Sequence, residues 1–124
     1  MNITVTRIRP TDQFRMPEKI GPRRGVLYLS RPIMVRGGGT GMATTNVGLK
    51  LPMGYCAIFL PIQDLLRRHG LIATPFTSEC KDGAEITIPV FNASDTSIPV
   101  KPNTELLEFL IIPAADDAEF SFRS

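Results

Sequence analysis

The chain has 124 residues, 43% of them hydrophobic and 21% charged, and a net charge of +2. That is enough for one domain with a real core and too little for two, and the even spread of Val, Ile, Leu and Phe excludes a disordered chain. The small net charge argues against general nucleic-acid binding. No run approaches the roughly 18 apolar residues of a membrane span, so no membrane partner is expected.

The total hides an asymmetry. Arg7, Arg9, Arg15, Lys19, Arg23, Arg24, Arg31 and Arg36 face only Asp12 and Glu18 in the first third, whereas the last stretch is acidic. Such a basic segment suits phosphates, or an acidic surface of another subunit. His69 is the single histidine, so any His-based acid–base pair would be built on it alone. Cys56 and Cys80 lack CxxC spacing and a nearby histidine pair, which excludes a zinc site, and no resident cofactor is expected. Cys56 lies in an apolar run and reads as a buried thiol; Cys80 lies in a polar turn and reads as exposed. Met1–Val5 lacks the apolar core of a signal peptide, which implies an intracellular location.

Ile3, Val5 and Ile8 open the chain with strand-like residues, and Pro10 to Pro22 is a turn-rich connection. Val26 to Leu29 and Ile33 to Val35 are short strands. Arg36 to Gly41 punctuates rather than packs. Thr44 to Leu51 alternates, with Val47, Leu49 and Leu51 on one face, and Tyr55 to Leu60 is nearly continuous apolar strand. A single short helix is predicted: Asp64 caps Leu65–His69 and Gly70 ends it. Leu71–Ala73, Ile86–Phe91, Ile98–Val100 and Leu106–Ile112 are further strands, and Glu79–Gly83 and Asn92–Thr96 are turns. Short strands at this spacing predict an all-β antiparallel barrel or jelly roll with one short helix. The domain is placed at residues 1–113, followed by a polar tail over 114–124 carrying Phe120 and Phe122.

Three stretches resemble the trimeric dUTPase family: Ile3-Thr4-Val5-Thr6-Arg7-Ile8-Arg9-Pro10, Gly48-Leu49-Lys50-Leu51-Pro52-Met53-Gly54-Tyr55, and the late strand and turn Ile86-Thr87-Ile88-Pro89-Val90-Phe91-Asn92-Ala93-Ser94-Asp95. The resemblance implies a dUTPase-like barrel and a homotrimer. The family's chemistry uses a carboxylate to position water, Mg²⁺ on the triphosphate, and cations or donors on the phosphates. Set against its motifs, Leu27 stands where an aspartate belongs, and Pro61-Ile62-Gln63-Asp64 replaces Pro-Arg-Ser-Gly. Glu79 replaces the water-activating aspartate and Asp82 the base-stacking tyrosine. Asn103–Glu108 replaces the fourth motif, and the glycine-rich arm has no counterpart.

These substitutions lead to the expectation of a non-enzyme. The chain would be a catalytically inactive viral accessory protein, similar to degenerate dUTPase-like proteins of the adenovirus early region 4 type, that binds host signalling proteins. The alternative is a trimer that holds a nucleotide between subunits without cleaving it, with Arg23, Arg24, Arg67 and Arg68 as anion ligands. A third reading keeps residual dUTP hydrolysis, with Glu79 as the base.

Overall fold

The structure is a computed structural model that describes residues 1–115 and 117–124; Asp116, within the expected tail, lies outside the described residues. Among the described residues, eleven strands and one helix follow in chain order: β1 (Thr4–Arg7), β2 (Glu18–Gly21), β3 (Arg24–Tyr28), β4 (Ile33–Val35), β5 (Thr40–Lys50), β6 (Tyr55–Pro61), α1 (Gln63–His69), β7 (Leu71–Ile72), β8 (Phe76–Ser78), β9 (Glu85–Asn92), β10 (Ile98–Val100) and β11 (Glu105–Pro113). All ladders are antiparallel and fall into three sheets, ordered β1-β5-β9-β7, β10-β4 and β2-β3-β11-β6-β8. The all-β class with one short helix is as expected, but the sheets do not close into a barrel. In β10, Pro99 has no N–H to continue a ladder, so β10 and β4 stay a pair.

The core lies between the two large sheets. Alternation places Ile86, Ile88 and Val90 of β9 inward beside Val47 and Leu49 of β5, against Leu27, Phe59, Leu107 and Ile111 of the other sheet. Phe59 is fully buried. It sits opposite Phe109 on β11 and Phe76 on β8, stacking on Phe76 with ring centroids 4.7 Å apart.

Three local readings change. The helix begins at Gln63 after Ile62, which makes no side-chain cap; Asp64 lies within the first turn, 3.6 Å from Arg68. Gly70 does end it, in the left-handed conformation at φ 68°, its N–H donating to the carbonyls of Leu65 and Leu66. Strand β2 forms inside the presumed connection because it pairs with β3, although three of its four residues are exposed. Thr40 and Gly41 belong to β5 rather than to the glycine turn, held opposite Phe91 and Val90.

The two thiols are also exchanged. Cys80 is buried and Cys56 is only half-buried, and burial raises the Cys80 thiol above its ordinary range. The polar neighbours of Cys80 concealed this: the turn folds down so that the Cys80 carbonyl accepts the Leu51 N–H at 2.9 Å.

A charged cluster ties the N-terminal loop to the sheet. The Arg9 guanidinium spans both Glu85 oxygens at 2.5 and 2.6 Å, and Asp12 accepts from Arg9 at 2.6 Å and from Arg31 at 2.5 Å. The Arg9 guanidinium holds the Glu85 and Asp12 carboxyls below their usual range. A depressed carboxyl contributes stability that is complete above its unfolded value and is lost as pH falls through the folded one. An unfolding midpoint followed from pH 7 to pH 2 should therefore drop below pH ~4, and Glu85→Gln should start lower at pH 7 and lose less on acidification.

Candidate active site

The turn between β8 and β9 carries Glu79 and Asp82. It is a fixed platform rather than a loose loop. Besides the Leu51–Cys80 bond, the Ser78 hydroxyl accepts the Cys80 N–H at 3.1 Å, and Asp82 accepts the Ala84 N–H at 3.0 Å to shape the turn at Gly83, φ 70°. The Gly83 carbonyl presses on Gly48 of β5 so closely that a Cβ there would lie 2.1 Å from the oxygen. This close approach explains the glycine at 48. The Glu79 carboxylate is exposed, 3.2 Å from the Lys81 ammonium, and can accept a proton from water on its open side.

The other sequence-derived positions are dispersed. Leu27 is fully buried in β3 and reaches no surface, so it is a core residue. Gln63 opens α1 and borders, with Leu65 and Leu66, an apolar groove of about 250 Å³. Arg67 and Arg68 stand on the last turn of that helix, where positive charge suits the helix dipole. Arg23 and Arg24 lie far off in the sequence at the β2–β3 turn and border a different cavity, of about 450 Å³. Arg24 is paired with Glu108, and the Arg23 guanidinium lies over the Tyr55 ring at 5.5 Å. Neither of these two cavities is lined by both arginine pairs. Nor do three or more His, Cys, Asp or Glu side chains cluster as metal ligands among them. Sequence reasoning missed Lys19 and Phe109, which share the larger cavity. Only the Pro22-Arg23-Arg24 turn hinted at it.

No family model matches the chain. It is 26% identical over 114 residues to the deoxyuridine 5'-triphosphate nucleotidohydrolase of Eremothecium gossypii, covering 86% of this chain and 74% of that one. It is 24% identical to the enzyme of that name from Kluyveromyces lactis, over 75% of this chain and 63% of the relative. For the Gloeobacter violaceus enzyme the identity is 26%, over 66% of this chain and 57% of the relative, so the chain spans less than two thirds of these last two. Among solved structures, the dUTPase of Staphylococcus aureus phage phi11 superposes with a TM-score of 0.84 at 10% identity, covering 100% of this chain and 97% of that one. This is the dUTPase fold. Sequence relatives and fold together support membership of the dUTPase superfamily. A dUTPase of staphylococcal bacteriophage 80alpha, solved with dUpNHpp, matches with a TM-score of 0.83 at 10% identity, over 99% of this chain and 89% of that one.

These relatives overturn the reading of a non-enzyme, an inactive accessory protein of the adenovirus type that binds host proteins. They are named as hydrolases, and the alignment with the first runs through most of the chain. The inactive reading scored each altered motif position as a loss. It gave too little weight to the carboxylate that persists at Glu79 on the braced turn between β8 and β9.

Proposed function

We propose that the chain hydrolyses dUTP to dUMP and pyrophosphate. The observation that carries the reading is the alignment with a named dUTP nucleotidohydrolase over 86% of the chain. The Glu79 carboxylate supports it, standing on an anchored turn where the resemblance puts the water-activating acid. Glu79 accepts a proton from water as the oxygen attacks the α-phosphorus, and the bond to the α,β-bridging oxygen breaks to release pyrophosphate. Mg²⁺ comes as part of the substrate, on the triphosphate, and offsets its charge. Asp82 acts by shaping the turn through the Ala84 N–H.

The phosphate side needs cations, and the arginine pairs border separate hollows of one chain. A site that uses both is completed between copies, and this reading therefore includes a homotrimer. Ile72, Phe91 and Met42 are exposed on the outer face of the β1-β5-β9-β7 sheet, Ile72 directly opposite Phe91, and offer an uncharged surface for that contact. An intracellular location follows from the substrate.

The purified 124-residue chain with Mg²⁺ and dUTP should release pyrophosphate. Glu79→Gln should lower kcat about a hundredfold with an unchanged unfolding midpoint, because the side chain is exposed. Absence of pyrophosphate release, or equal turnover in the variant, would refute the assignment. Sedimentation at micromolar concentration should give three times the 13.7 kDa chain mass; a monomer would remove the between-copies part alone.

A further inference from the structure

The cavity of about 450 Å³ opens between edge strand β1 and the β2–β3 hairpin, away from Glu79. Val5, Leu49, Phe109 and Ile111 make an apolar floor, and Lys19, Arg23 and Arg24 stand around it. The charge at this rim is not cancelled. Glu108 takes Arg24, and Glu18, which also lines the cavity, has its carboxylate occupied by the Tyr28 hydroxyl at 2.7 Å and by Arg15 at 3.6 Å. Among the described residues, Lys19 and Arg23 have no carboxylate within salt-bridge distance.

Backbone geometry adds a second observation. Gly21 pairs with Arg24, so Pro22 and Arg23 are the two residues of a tight hairpin turn. Arg23 has φ 56°, a left-handed conformation that glycine adopts freely and a branched or long side chain resists. A guanidinium is thus carried at a position whose backbone favours glycine. Strain kept at the mouth of a cavity points to a use for the side chain.

We propose that this cavity binds an amphipathic monoanion, its short aliphatic tail against Val5, Leu49, Phe109 and Ile111 and its head between Lys19 and Arg23. The volume lies within the range of small-molecule sites, and an apolar floor with a few convergent polar groups is their usual construction. No residue of the Glu79 turn borders it, although Arg23 and Arg24 are also the cations that the between-copies phosphate site of the proposed hydrolysis would draw on.

The test is calorimetric titration of the full chain with octanoate and octyl phosphate, with octanol as the uncharged control. Both anions should bind, and octanol at least tenfold more weakly. The two heads distinguish a carboxylate ligand from a phosphate monoester, and preference for either supports the site. Arg23→Gly should weaken anion binding at least tenfold while leaving the melting temperature unchanged or higher, which separates lost binding from lost folding. Lys19→Gln should act in the same direction, and Val5→Trp should fill the floor and weaken octanol as well. Failure of both anions to bind, or binding indifferent to Arg23→Gly and Lys19→Gln, would overturn the proposal. So would saturation by a peptide of residues 114–124, with its two phenylalanines and acids, when octanoate does not bind; the cavity would then belong to the tail of another copy.

Discussion

Replacing Asn46 by alanine should lower the unfolding free energy by about 3 kcal/mol, read from denaturant or thermal unfolding. Asn46 sits fully buried in the irregular stretch of β5 between Thr44 and Gly48, at φ 58°. Its side-chain oxygen accepts the Arg9 N–H at 2.6 Å, and its amide nitrogen donates to the carbonyls of Arg9 at 3.0 Å and Gln13 at 3.1 Å. Alanine would orphan these backbone groups and would itself resist the left-handed conformation, for which asparagine is the best tolerated residue after glycine. Aspartate tests the account. It keeps the acceptor but loses the donor, and it adds charge beside Glu85, whose carboxylate accepts the Asn46 N–H at 2.8 Å. It should be no better than alanine. Asn46→Gly should recover about 1 kcal/mol of the backbone cost and none of the hydrogen bonds. A loss under ~1 kcal/mol for alanine would mean that the N-terminal loop contributes little to the folded state.

Phe59→Ala should cost about 4 kcal/mol, the largest loss expected from a single substitution in this chain. Its ring has no exposed surface, stacks on Phe76, and meets Phe109 at 6.2 Å in a tilted arrangement. Truncation removes the burial of the ring and leaves a void that antiparallel neighbours on both sides cannot collapse. Phe59→Leu retains most of the volume and should cost about 1–2 kcal/mol. Because Phe109 also floors the amphiphile cavity, the alanine variant should alter octanoate binding, whereas Phe76→Leu on the far side should not.

The sequence made the β9 strand plain, since Ile86, Ile88 and Val90 alternate inward without interruption. Gly70 marked the helix end equally well, because a residue there needs φ above zero. Strand β2, Glu-Lys-Ile-Gly, was illegible. Its exposed residues carry no apolar period, and only its ladder with β3 makes it a strand. The burial of Cys80 was hidden by the charged residues on either side, which point outward while the thiol points in. The position of Glu79 was legible from motif register, but the bracing of its turn was not, because it depends on Leu51 and Gly48, some thirty residues away. The amphiphile cavity was least accessible to sequence reasoning: its floor is assembled from β1, β5 and β11, none of which announces a site alone.

The inward thiol on the Glu79 turn also supplies a native reporter. A thiol that is buried and held protonated reacts with an aromatic disulfide only during moments when its surroundings part. Cys56, half-exposed on the neighbouring strand, reacts under the same conditions without that gate. The ratio of the two modification rates therefore measures the fraction of time the Glu79 turn spends detached from Leu51, in unlabelled wild-type protein and in the presence of any nucleotide.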